Sequence, residues 1–217
     1  MKKKPIHLFM FIWIFMIFIV CYSRYMEPER LVMKEITVET NMDIEKCRIL
    51  FFTDTHFGTI YDGNHVERIV EMINERDGDI VIFGGDLFDN YARDKELLDM
   101  EYLQEELSKI EAKAGKYAVF GNHDYGGGAV RIYEQFMNNC GFYVLDNETV
   151  FLEKFNIEVI GFDDYLLGQT EVDFYHIQSD NFHLIVTHEP VISKWIEGSG
   201  ENLTLSEKNK ELPSLYS

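Results

Sequence analysis

Four short stretches of this sequence carry side chains of the kind that bind metal ions or move protons. They are Asp54-Thr55-His56, Gly85-Asp86-Leu87-Phe88-Asp89, Gly121-Asn122-His123-Asp124 and Thr187-His188-Glu189-Pro190. Together they offer Asp, His, Asp, Asn and His, with further carboxylates beside them. Mixed nitrogen and oxygen donors suit divalent Mn, Fe or Zn better than an all-oxygen calcium cage. Five candidates suggest two ions sharing one carboxylate rather than a single ion. Two ions about 4 Å apart can clamp both the attacking and the leaving oxygen of a phosphoryl group. Each stretch alone has an ordinary explanation: His56 as a packed histidine, Asp86 or Asp89 as a helix cap, Gly121-Asn122 as a turn, His188 as the start of a helix. Their common placement is what argues for chemistry.

That placement follows from the elements around them. Ile49–Phe52, Ile80–Phe83, Tyr117–Phe120 and Phe182–Val186 (broken only by His183) are apolar runs of strand length, and each stops just before one of the four stretches. Between them lie helical spacings. Val66, Ile69, Val70 and Ile73 define one helix over 65–76; Leu97, Leu98, Tyr102, Leu103 and Leu107 place a second over 94–113; residues 129–141 make a third that stops at Gly141. Residues 31–39 alternate and predict a half-buried strand, and 142–162 predict antiparallel strands. Strands alternating with helices imply a layered α/β fold with parallel strands, in which ligands bind beyond the carboxyl ends of the strands. Residues distant in sequence are thereby expected to meet on one rim.

Composition narrows the rest. The chain has 217 residues, 46% hydrophobic, and a formal charge of −18, so no nucleic-acid surface is expected. The cysteines at 21, 47 and 140 form no metal-binding or disulfide framework. Lys2–Lys4 precede an unbroken apolar run from Leu8 to Tyr22, with no small-residue cleavage pattern. Residues 1–22 therefore predict an uncleaved signal anchor, with a cleaved signal peptide as the alternative. The lysines stay cytoplasmic under the positive-inside rule, so a single-pass protein in the cell membrane with an extracytoplasmic domain is expected. Residues 23–30 then read as a linker, 31–206 as the domain and 207–217 as a polar tail. Phosphate-loop, serine-elbow and His-Glu-x-x-His motifs do not occur.

The ordered set Asp-x-His, Gly-Asp-x-x-Asp, Gly-Asn-His-Asp and Thr-His-Glu-Pro resembles the calcineurin-like metallophosphoesterases, and the apolar leader resembles their membrane-anchored bacterial branch. The resemblance covers about residues 31–205. It implies an αββα sandwich with a binuclear metal centre hydrolysing phosphomonoesters or phosphodiesters by a metal-activated water, without a phosphoenzyme. Asp54 and His56 would bind the first ion, Asp86 would bridge, and Asn122 and His188 would bind the second. His123 would contact the phosphoryl oxygens and protonate the leaving group, and Asp89 would hydrogen-bond His123, raising its pKa and fixing its tautomer. Membrane anchoring adds the expectation of a lipid- or envelope-linked phosphoester.

One departure stands against this. The family pattern ends in Gly-His-x-His, whereas here Asn202–Ser206 is followed by Glu207-Lys208-Asn209-Lys210, and no histidine follows His188. Lysine ammonium groups are not ligands at neutral pH. A truncated or frameshifted chain is therefore expected, or an intact one that has lost part of its site. Either would give a less stable fold with weaker metal binding, down to a catalytically impaired remnant.

Overall fold

The computed structural model describes residues 4–27, 30–59, 61, 63–171 and 181–194. Four parallel strands build the first sheet in the order β1 (Ile49–Phe52), β2 (Ile80–Phe83), β3 (Lys116–Ala118), β4 (Phe142–Val144). The second sheet has β5 (Glu148–Leu152) antiparallel to β6 (Ile157–Gly161), and β7 (Phe182–Val186) parallel to β6.

The continuous apolar runs form strands because both of their faces are covered. On β2, Val81 and Phe83 face a core shared with the helices, while Ile80 and Ile82 face the second sheet. Ala118 and Tyr117 divide in the same way on β3. The helical side is closed by α2 (Val66–Asn74), α4 (Met100–Ser108) and α6 (Val130–Asn139). On α2 the buried residues are Val66, Ile69, Val70 and Ile73, as their spacing predicts. The other side is filled by Leu145, Phe155, Ile157, Val159 and Val186. Helices, sheet and sheet are thus three layers of the expected αββα arrangement within the described residues.

Four expectations need correction. Residues 31–39 form no strand; they run as largely exposed chain, because alternation supplies no backbone partner by itself. The helix expected over 94–113 is broken. After α3 (Tyr91–Asp94), Asp99 accepts a hydrogen bond from the Tyr102 N–H and restarts the chain as α4, leaving Leu97 72% exposed. Phe142–Val144 is parallel to β3 rather than part of an antiparallel set, since Gly141 (φ +82°) turns the chain back after α6. Finally, β7, the fourth apolar run, lies in the second sheet and not beside the other three.

The leader forms one helix, α1 (Lys4–Tyr25), 22 residues long and so about 33 Å, with His7–Tyr25 at a mean hydropathy of 1.9. Its side chains are exposed throughout the described part. Length and composition are sufficient to cross the roughly 30 Å hydrocarbon core. The three cysteines are free, Cys140 being buried.

Candidate metal centre

The site lies where β1, β2 and β3 end, and its backbone is unusual. Asp54, His56 and Asp86 all adopt the left-handed region, with φ of 56°, 43° and 59°. Non-glycine residues rarely do so, and three together mark a rim whose conformation is imposed by its surroundings. Hydrogen bonds between neighbouring loops impose it: Asp54 N–H donates to Gly85 O (3.0 Å) and His56 N–H to Asp86 O (3.1 Å). Two glycines make the approach possible. A side chain at Gly85 (φ +96°) would place its Cβ 2.6 Å from Gly121 N, and one at Gly121 would sit 2.5 Å from Asp86 N.

Asp124 ties the same loops together from beneath. This fully buried carboxylate accepts from the N–H groups of Asp86 (2.9 Å), Leu87 (3.1 Å) and Gly121 (2.9 Å). Burial pushes its carboxyl up to about 7, although the three donors pull the other way. The sequence reading included Asp124 in a motif but gave it no role. Its signal was position, three residues after the glycine that has to touch β2's loop.

The metal-type side chains converge on Asp86, which is 2% exposed. One of its oxygens, Oδ1, accepts from the His123 N–H at 2.7 Å. The other, Oδ2, faces His56 Nε2 at 3.5 Å and His188 Nε2 at 3.4 Å. Asp54 Oδ1 stands 3.6 Å from His56 Nε2, and Asn122 Oδ1 stands 3.2 Å from His188 Nε2. By distance these side chains include two triads, His56–Asp86–His123 and Asp54–Asp86–His188, each with donor atoms within 4.8 Å of one another. Asp86 belongs to both. Asp54 thus falls with His188 and also stands beside His56, its partner in the resemblance. His188 reaches the first sheet's rim from the second sheet because its Nδ1 is held at 2.8 Å by Gly84 O.

Asp89 sits differently from the expectation. Its backbone carbonyl, not its carboxylate, accepts from His123 Nδ1 at 2.7 Å, while the carboxylate Oδ1 lies 3.7 Å from that nitrogen. Arg93 takes the carboxylate instead, Nη2 to Oδ2 at 2.7 Å, and also holds the buried Asp94. The carbonyl fixes a proton on Nδ1 and leaves Nε2 free to act. A second acid-rich loop closes beside His123: Tyr125 O–H donates to Asp163 Oδ1 at 2.7 Å, and Asp163 and Asp164 accept from the N–H groups of Gln169 and Leu167.

The donor set fits divalent ions. Carboxylates at this rim favour positive charge strongly enough to override burial. Desolvation disfavours the His188 imidazolium, yet the hydrogen bond and charge of Asp86 bring it up to about 9. The Asp54 carboxylate, accepting from the His56 ring, raises His56 in the same way, and Asp54 is held low by it. His56 Nδ1 is buried without a hydrogen-bond partner. A buried carboxylate facing two imidazoles with no backbone donor on that oxygen is a natural cation position.

Comparison with known proteins agrees. The family model described as calcineurin-like phosphoesterase matches residues 47–212. The Bacillus subtilis metallophosphoesterase YkuE is 28% identical over 180 residues, covering 78% of this chain and 61% of its own length. YkoQ of the same organism is 29% identical over 157 residues, 68% of this chain and 55% of its own. A Danio rerio transmembrane protein with a metallophosphoesterase domain is 29% identical over 122 residues, 56% of this chain and 27% of its own. The chain therefore spans about a quarter to three fifths of the length of these relatives.

Proposed function

Because the chain belongs to the calcineurin-like phosphoesterase family, whose members typically bind divalent metals, we propose that it hydrolyses phosphoester bonds at a binuclear centre on this rim. The single observation that carries the reading is the shared Asp86, with one oxygen facing a histidine from each triad. Asp54, His56, Asp86, Asn122 and His188 would hold two ions, of Mn, Fe or Zn. When bound, such ions supply Lewis acidity and a water acidic enough to attack at neutral pH.

The chain's own residues do the remainder. His123, with its Nδ1 proton held by Asp89 O, would present Nε2 to the phosphoryl oxygens, and in its doubly protonated form Nε2 would carry the proton that passes to the leaving group, returning the ring to neutral. Asp89 assists by position, through its carbonyl and through the Arg93 clamp on its carboxylate. Asn122 and His123 stand in the first turn of α5 (Asn122–Gly126), and Asp124 in the same turn ties that helix to the Asp86 loop. Monoesters and diesters both fit this chemistry, and a lipid- or envelope-linked ester fits the apolar helix. In this reading α1 is a signal anchor in the cell membrane, Lys2–Lys4 lie on the cytoplasmic side, and residues 31–206 act outside it.

The test is hydrolysis of bis-p-nitrophenyl phosphate by the full chain with Mn²⁺ added, beside a His123→Ala variant. Turnover that the variant loses, with about two ions bound per chain, is the expected result. Ions bound without turnover would leave a metal-binding remnant, and a chain that binds none would overturn the reading.

A further inference from the structure

A groove of about 500 Å³ opens beside β1, the edge strand of the first sheet. Its polar part is Thr53 to His56, at the carboxyl end of β1, and includes two of the candidate ligands. The rest of its wall is apolar: Leu31, Met33, Leu50, Phe52, Ile69 and Met72. The volume lies in the range of ligand sites, which are concave and mostly apolar with a few convergent polar groups. Here the polar groups are gathered in one part and the apolar ones in another. That division matches an amphiphile, with a phosphate at the ligands and a hydrocarbon chain between β1 and α2.

Two further features concern where the groove stands. Leu31 and Met33 follow the end of α1 at Tyr25 by a connection that reaches at most roughly 20 Å to Leu31. The groove wall is thus tethered close to the end of the helix proposed to cross the membrane. On its wall, Val32 is 72% exposed, whereas the exposed Phe51 opens on the other face of β1, with Ile82. A large apolar side chain left open in such a groove favours an apolar occupant over water.

We propose that this groove holds the aliphatic chain of a membrane phosphoester whose phosphate lies at the Asp54–His56 rim. The inference rests on the phosphoesterase reading above. It supplies the substrate class: an ester with a hydrocarbon tail on the phosphate side that enters between β1 and α2. Selectivity then comes from tail length: each methylene that leaves water for the groove strengthens the binding of a dissolved ester about fourfold, or about 0.8 kcal/mol, whereas one that leaves the bilayer adds far less.

The test is photolabelling of the full chain in nanodiscs of neutral lipid, using dodecyl phosphate with a diazirine at the chain end. Adducts are mapped by mass spectrometry. The expected result is labelling at Leu31–Met33, Ile69 or Met72, displaced by unlabelled dodecyl phosphate but not by equal butyl phosphate, and lost in Met72→Glu. Adducts confined to α1, or equal displacement by both phosphates, would overturn the proposal and leave the groove to another part of the protein. Because labelling does not need turnover, the two readings fail separately. Hydrolysis of the soluble diester without groove adducts defeats the groove alone. Groove adducts without hydrolysis or bound ions defeat the phosphoesterase reading and leave a lipid-phosphate site.

Discussion

The two sheets of this molecule differ in how firmly they hold what they present. Strand β2 is buried on every residue, flanked by β1 and β3, and its end carries Asp86 in a loop pinned by Asp124. In the second sheet β5 and β7 are only partly buried, and its contribution to the rim is His188. The same contrast runs along the first sheet itself, where β1 at the edge leaves Phe51 open while β2 leaves nothing open. A centre of the proposed kind would have one firmly held half to fix ligand geometry and one looser half to admit a substrate. Firmly held ligands and an adaptable apolar side are separate demands, which such a centre would meet in separate places.

The largest effect should come from the rigid half. Asp86→Asn removes the carboxylate common to both triads, so loss of both ions and of turnover is expected. His188→Ala should remove one ion, and metal counting by mass spectrometry separates the two outcomes. Equal losses would break the comparison, because the second sheet would then carry as much of the centre as the first. His123→Ala keeps the ligands of the proposed ion pair and removes the proton donor, so a fall on the order of 10²–10⁴ in kcat is expected with ions still bound.

Next in size is the contact between the β2 and β3 loops. In Gly121→Ala the new methyl would lie 2.5 Å from Asp86 N and press on its carboxylate. Backbone cannot yield there without disturbing the three donors of Asp124. A loss of about 2 kcal/mol is expected, seen as a melting temperature lower by roughly 4–8 °C. A neutral result would show that the first sheet's rim is softer than its hydrogen bonds suggest.

The helical side of the first sheet offers a pH test. Burial pushes the Cys140 thiol up to about 12, with the nearby Lys116 ammonium pulling the other way. Its unfolded value is 9.0. A group raised in the folded state contributes stability that is complete below the unfolded value and lost as pH rises toward the folded one. Stability should therefore fall between pH 9 and 12, by about 1 kcal/mol per pH unit. Cys140→Ala should lose the Cys140 share of that fall in chemical denaturation, while the share from Tyr117, which burial also raises, stays in both proteins. Parallel curves would mean that the core around α6 already admits water.

Much of the first sheet was legible in sequence, because strands buried on both faces must be apolar throughout and must end where polarity returns. Asp54, His56, Asp86, Asn122 and His123 follow such ends, so their meeting on one rim could be expected. What escaped was set by long-range contacts. No local pattern says that 182–186 joins the second sheet, that 31–39 lacks a strand partner, or that Asp99 restarts a helix that periodicity would continue. Asp124 escaped for a related reason: its three donors come from two loops, 37 and 38 positions away in sequence for the farther pair. The Asp89 carbonyl escaped because backbone atoms leave no mark in residue types.

The smallest effect should come from the open half. Phe51 is 55% exposed on the edge strand, and Phe83, on the adjacent strand, is fully buried. Truncating a half-exposed side chain forfeits little transfer free energy, so Phe51→Ser should change stability by at most about 0.5 kcal/mol. Phe83→Ala leaves a cavity between β2 and the helices and should cost about 3–5 kcal/mol. The pair of measurements turns the contrast between edge and centre into a ratio. If Phe51→Ser proved as costly as Phe83→Ala, β1 would be covered in the folded protein by something as close-packed as a core.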